Sequence, residues 1–122
     1  LNTDPHNKPG EHWISLFIDM RDIKRPFIFF SDSNGDPPPR QAKAFIDKCR
    51  KNYNDKVGKN KRMIYKRNTV NHQKKNTECG IYCLHMIISL LRNDYTLTEY
   101  LQKKKPDIMM ERLRDEFFHK QC

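Results

Sequence analysis

A polar, cation-rich loop, Asn71-His72-Gln73-Lys74-Lys75-Asn76-Thr77-Glu78, runs into Cys79-Gly80 and then into an apolar stretch that reads as a helix. Cys79 falls in the first turn of that helix, where unpaired backbone N–H groups and the positive end of the dipole favour an anion. A thiolate is such an anion, and a lowered thiol pKa makes a cysteine nucleophilic near neutral pH. Upstream, Glu11-His12-Trp13 stands at the mouth of an apolar strand, and Ser31-Asp32-Ser33-Asn34-Gly35 closes the next one. His12 can take the thiol proton, with the Trp13 indole covering one side of its ring. Asp32 can accept the other imidazole N–H and fix the tautomer. Gln73 and the Cys79 backbone N–H can donate to an oxyanion on a scissile carbonyl. Gly80, having no side chain, lets a substrate approach the thiol closely. These are the parts of a thiol hydrolase.

Each residue has a plainer reading. Free cysteine is often a small buried hydrophobe, and Cys49 and Cys83, inside apolar patterns, read as packing. Cys79 differs in having a polar loop, a cap and a glycine beside it. His72 adjoins the glutamine and is the reserve candidate for the base. Asp32 has the look of a turn residue, and Asp19, Asn34 and Asp36 compete with it for the orienting role. A zinc site drawn from His12, His72, Cys79, Cys83 and His85 is the metal alternative. The spacing disfavours it, having neither C-x-x-C nor H-x₃₋₅-H, so no metal and no cofactor are expected.

Elements must position these groups. Trp13 to Met20 has the pattern of a largely buried strand, and Phe27 to Phe30 of a second one ending at the Asp32 turn. From Arg40 the period becomes helical, with Ala42, Phe45, Ile46, Cys49 and Tyr53 on one face. Met63-Ile64-Tyr65 reads as a short strand. Thr77 or Asn76 can cap the cysteine helix, whose apolar residues include Gly80, Cys83, Leu84, Ile87, Ile88 and Leu91. Thr96 to Lys103 reads as a short helix. After Pro106, Asp107 can cap a last helix striped by Met109, Met110, Leu113 and Phe117. The order predicts one α+β domain over residues 1–122.

At 122 residues the chain supports one modest core. Lys and Arg number 24 against 15 Asp and Glu, a formal charge of +9. Much of the excess lies in Lys48–Lys75, which suits a polyanion such as DNA or serves as a solvated face. Four cysteines do not make a disulfide framework here. No apolar run is long enough to cross a membrane. The expected setting is reducing: a virion or the host cytoplasm. The start so close to His12 suggests a fragment, or the C-terminal part of a longer protein.

In order and wording, His12-Trp13, Asp32, Gln73 and Cys79-Gly80 resemble the motifs of the adenovirus maturation protease (adenain) and ubiquitin-like-protein-specific cysteine proteases. The segments around Phe30–Pro37 and Asn76–Cys83 look most like versions encoded by large DNA viruses. The resemblance implies a papain-like α+β fold, its central helix carrying the cysteine and packed on a small sheet carrying His and Asp. It implies Cys79 as nucleophile, His12 as base, Asp32 as orienting acid and Gln73 as oxyanion donor, with Trp13 and Gly80 lining the substrate cleft. The expected activity is peptide-bond hydrolysis through a thioester, on viral structural precursors. Processing of a ubiquitin-like modifier is the second substrate class. A basic nucleic-acid-binding or scaffolding domain on a decayed protease fold is the non-enzyme alternative.

Overall fold

The computed structural model describes residues 1–4, 12–75 and 77–119. In chain order its elements are β1 (Ser15–Asp19), β2 (Phe27–Ser31), α1 (Arg40–Asn54), β3 (Ile64–Arg67), α2 (Cys79–Leu91), α3 (Leu97–Gln102) and α4 (Asp107–Phe117). This is an α+β architecture with a small sheet of order β1-β2-β3. β1 and β2 pair antiparallel across the turn that contains Pro26, whereas β2 and β3 pair parallel. A parallel pair needs a crossover, and α1 provides it.

The central strand is buried on both faces, with Ile28, Phe29 and Phe30 fully enclosed. Strand alternation sends Ile28 and Phe30 to Ile14, Ile46 and Met63 on the α1 side. Phe29 points the other way, into Met86, Leu90 and Tyr100 of α2 and α3. Each such side chain contributes roughly 1.5–3 kcal/mol by leaving water. A third cluster, Ile81, Tyr82 and Met110, joins α2 to α4. The sheet is thus fixed between helices, and the ends of β1 and β2 are fixed with it.

Several expectations need correction. The first strand is not largely buried: Trp13 is 48% exposed, and Ile18 and Met20 are 40% exposed. β1 is an edge strand, and it borders an open groove. Phe45 of α1 is also half exposed and turns into that groove rather than the core. α2 is apolar all round, so its pattern does not choose a face. The face that is buried carries Ile81, Tyr82, His85, Met86, Ser89 and Leu90, whereas Leu84 and Leu91 are exposed.

The cap of α2 also differs. Glu78 occupies the N-cap position without a side-chain cap, and the Thr77 hydroxyl donates to Glu78 Oε1 at 3.3 Å instead. Asn76, the other capping candidate, lies outside the described residues. Thr96 caps α3 in a reciprocal box with Glu99. Pro106, not Asp107, is the N-cap of α4, and Phe117 of its expected stripe is 36% exposed. Among the described residues no helix is long and apolar enough to cross a membrane.

Candidate active site

The β1–β2 register places Ser15 opposite Ser31. The chain just before β1 therefore lies beside the chain just after β2, which carries Asp32. His12 Nε2 donates to Asp32 Oδ1 at 2.8 Å. Asp32 is buried, and its turn is firmly held. The Asn34 N–H donates to the same Oδ1 at 2.8 Å. The Asp32 carbonyl accepts from the Gly35 N–H at 2.9 Å and from Asn68 Nδ2 at 2.7 Å. On the other side, the His12 carbonyl accepts from the Thr3 N–H at 2.9 Å. With Nε2 donating to a carboxylate, the neutral ring carries its lone pair on Nδ1. Asp19 is engaged with Arg21 at the opposite end of β1, and Asp36 is exposed.

Gln73 is tied to the same turn. The Ser33 carbonyl accepts from the N–H groups of His72 and Gln73 at 2.9 and 3.0 Å. The Ser33 hydroxyl donates to Gln73 Oε1 at 2.5 Å, while Gln73 Nε2 donates to the Lys75 carbonyl. A carbonyl only accepts, so this contact fixes which end of the amide is nitrogen. One N–H of the amide goes to Lys75, and chemically a second remains. Gly35 permits the close approach of the two loops. Its φ is +81°, and a Cβ there would lie 2.9 Å from the Thr69 carbonyl oxygen.

Cys79 is the first residue of α2 and is 8% exposed. It lines an open groove together with Trp13, Phe45, Gly80 and Cys83. The groove volume is about 1380 Å³, above the roughly 300–1,000 Å³ of small-molecule pockets, which suits a polypeptide. A Cβ on Gly80 would meet nothing within 4 Å, so its bareness leaves room at the groove and is not demanded by packing. Cys83, one turn on, is partly buried. Burial pushes its thiol up to about 11, against a lowering contact with Ser15, so it stays protonated near neutral pH. Glu78, buried beside Cys79, lies 3.0 Å from Arg114 Nη2 of α4.

The structure therefore brings His12 and Asp32 into direct contact, Gln73 to the same turn through Ser33, and Cys79, Trp13 and Gly80 into one groove. It does not bring His72 there as a base. His72 is buried, and its Nδ1 accepts from the Lys105 N–H at 3.1 Å. Burial, then the charges of Lys105 and Lys104, lowers its pKa to about 4. His85 is lowered to about 4 as well, chiefly by burial. Among the described residues no three His, Cys, Asp or Glu side chains converge as a metal would require. Sequence reasoning does not single out Ser33 and Asn68, which hold the turn. Their only signal is polarity just past the C-terminal ends of β2 and β3.

Residues 1–121 match the Ulp1 protease family, C-terminal catalytic domain. The chain is 34% identical over 94 residues to a candidate thiol protease, R355, of Acanthamoeba polyphaga mimivirus, covering 77% of this chain and 30% of that protein. It is 30% identical over 118 residues to the cysteine protease S273R of African swine fever virus (isolate Tick/Malawi), covering 97% of this chain and 42% of the relative. In the Pig/Kenya isolate the corresponding protein, 29% identical over 118 residues and covered to the same extents, is called a SUMO-1 cysteine protease. The crystal structure of the selenomethionine form of the swine fever virus pS273R protease superposes with a TM-score of 0.79 at 27% identity. That likeness spans 93% of this chain and 40% of the solved one. The chain thus spans about a third to two fifths of the relatives it matches.

Proposed function

This chain belongs to the Ulp1 protease family, a family of cysteine peptidases, and we propose that it carries out peptide-bond hydrolysis with Cys79 as nucleophile, His12 as base, Asp32 as orienting acid and Gln73 as oxyanion donor. The observation that carries this reading is the 2.8 Å contact of His12 Nε2 with the buried Asp32, at a turn that also holds Gln73. With Nε2 committed to Asp32, Nδ1 takes the thiol proton. The Cys79 sulfur adds to the scissile carbonyl, and the resulting oxyanion is met by the Cys79 N–H and the Gln73 amide. Collapse expels the amine, which takes the proton back from His12 and leaves a thioester. Water, deprotonated by the same imidazole, then releases the acid and regenerates the thiol. Trp13 and Gly80 border the bound chain.

The proposed substrate is an extended segment of a viral structural precursor, with small residues such as Gly-Gly at the cut because Cys79 itself is nearly buried where it meets the groove. The three relatives above come from two viruses, a mimivirus and African swine fever virus, which supports this choice. A ubiquitin-like modifier is the second reading, favoured by the name SUMO-1 cysteine protease given to the protein in several swine fever virus isolates. The proposed setting is a virion or the host cytoplasm. The basic Lys48–Lys75 segment, whose Lys48, Lys56, Lys59, Lys61 and Lys66 are exposed, is proposed to touch DNA or another polyanion. The same charge is what a non-enzymatic binding domain would use.

Exposure to a peptide vinyl sulfone ending in Gly-Gly separates these classes. The expected result is a single adduct at Cys79, lost in Cys79→Ala, with turnover reduced by at least about 10⁴-fold in that variant. Labelling at Cys83 first, or none at all, would overturn the assignment.

A further inference from the structure

The chain between Gln73 and Cys79, described at Lys74, Lys75, Thr77 and Glu78, sets how far apart those two groups stand. α4 runs along it and grips it with three polar residues at i, i+4 and i+7 spacing, which lie on one helical face. Asp107 Oδ2 accepts from the backbone N–H groups of Lys74 and Lys75, both at 3.0 Å. Glu111 Oε1 accepts from Lys75 Nζ at 2.8 Å. Arg114 donates to the Thr77 carbonyl and pairs with Glu78. From below, the buried Tyr82 hydroxyl lies 3.0 Å from Asp107 Oδ1, and 2.8 and 3.2 Å from the Lys105 and His72 carbonyls. Its one proton favours the charged acceptor, Asp107.

Tyr82 is one turn along α2 from Cys79, so the ring of contacts closes: Cys79, α2, Tyr82, Asp107, the 74–75 backbone and Gln73. The exposed Lys75–Glu111 pair adds little by itself. The two backbone bonds to Asp107 hold peptide groups, and with them the chain that follows Gln73. An oxyanion donor acts only if it is aimed beforehand, and a displacement of about 1 Å costs on the order of 10²-fold in rate.

We infer that α4 is a positioning element for the oxyanion side of the site, with Asp107 as its anchor and Tyr82 as the strut that references it to the nucleophile helix. The inference rests on Gln73 being the oxyanion donor proposed above. Asp107 and Tyr82 touch no substrate; they act through Gln73.

The test uses the full-length protein and a Gly-Gly aminomethylcoumarin amide. Asp107→Leu is expected to lower kcat about 10- to 100-fold, with KM and the rate of Cys79 alkylation by iodoacetamide changed less than about threefold. Hydrogen exchange at the Lys74 and Lys75 amides should rise at least about tenfold. Asp107→Asn keeps an acceptor for those amides and should restore most of kcat. Tyr82→Phe, which keeps the ring, should move kcat in the same direction by less, and it serves if Asp107→Leu fails to fold. In the double variant Asp107→Leu/Gln73→Ala, turnover should be no slower than in Gln73→Ala alone. Effects that multiply, unchanged kcat, or no rescue by Asn would overturn the inference while leaving Gln73 in its role. If Gln73→Ala turns over normally, the oxyanion assignment fails first and the inference fails with it.

Discussion

On the groove side of α2, Gly80, Cys83 and Leu84 are partly or largely exposed, and a Cβ on Gly80 would touch nothing. On the opposite side Tyr82, His85 and Ser89 are buried. There Tyr82 reaches His72, Lys105 and Asp107, and His85 meets the Tyr100 hydroxyl at 3.1 Å. One helix thus has an open apolar side with few polar ties and a closed side dense with them. The difference assigns labour. The closed side has the directional bonds that hold a conformation, and the open side has the room and apolar surface that a polypeptide needs. The two histidines nearest the site follow the same division. His12 has a carboxylate partner and a side chain 20% exposed, whereas buried His72 has lysines near it and no carboxylate contact among the described residues.

The sharpest way to break this comparison is to remove the buried carboxylate that partners His12. Asp32→Asn leaves the turn an acceptor for the Asn34 N–H but offers His12 an amide, which can stabilise the wrong tautomer. We expect turnover to fall by about 10³- to 10⁴-fold, with the melting temperature changed by only a few degrees. Steady-state kinetics and calorimetry on the same sample check both halves. A variant with full turnover would remove Asp32 from the site, and Asn34, Asp36 and Asp19 would be tried next.

A second change acts where the Asp32 turn meets the loop leading to Gln73. Gly35→Ala puts a Cβ 2.9 Å from the Thr69 carbonyl oxygen and 3.0 Å from the Val70 carbonyl carbon, at φ +81°. These atoms are backbone, so they cannot swing aside. The expected destabilisation is about 1–3 kcal/mol, read by urea unfolding. Turnover of the remaining folded protein should fall as well, because the turn carrying Asp32 and Ser33 must part from the Gln73 loop. A stable variant with unchanged turnover would show that this contact is not what holds the two loops in register.

The α+β class and the element order are legible in the sequence because short apolar runs, helical stripes and Pro or Gly breaks follow one another cleanly along the chain. The meeting of His12 with Asp32 is legible too, since two short strands joined by a turn pair antiparallel and bring their far ends together. The buried face of α2 is not. Its residues are apolar on all sides, so only tertiary packing against Phe29 and Met110 selects one. The exposure of Trp13, Ile18 and Phe45 escapes a reading by hydrophobicity, because an open groove and a core ask for the same residue types. Asp107 reads as a helix cap by position. Its partners, the Lys74 and Lys75 amides, are distant in sequence, and no local pattern announces them.

The smallest expected effect tests the closed side through pH. His72 and His85 each have pKa values lowered to about 4 from an ordinary 6.5, burial being the main cause in both. Between these values the unfolded chain holds protons that the folded chain lacks, so stability rises with pH there. The stability they allow is complete above about 6.5 and is lost as pH falls toward 4. His72→Asn keeps an acceptor for the Lys105 N–H and removes one titration. Its stability, measured by urea unfolding from pH 7 to 4.5, should therefore fall less steeply than the parent's, by up to about 1.4 kcal/mol per pH unit. Near pH 7 the two curves should lie close together, since His72 is neutral in the fold and Asn supplies the same bond. Identical slopes would mean that His72 is protonated in the folded state at mild acidity, and the closed side would then be wetter than its hydrogen bonds imply. A variant already much weaker at pH 7 would instead make His72 a packing residue whose ring, rather than its neutrality, is what the closed side requires.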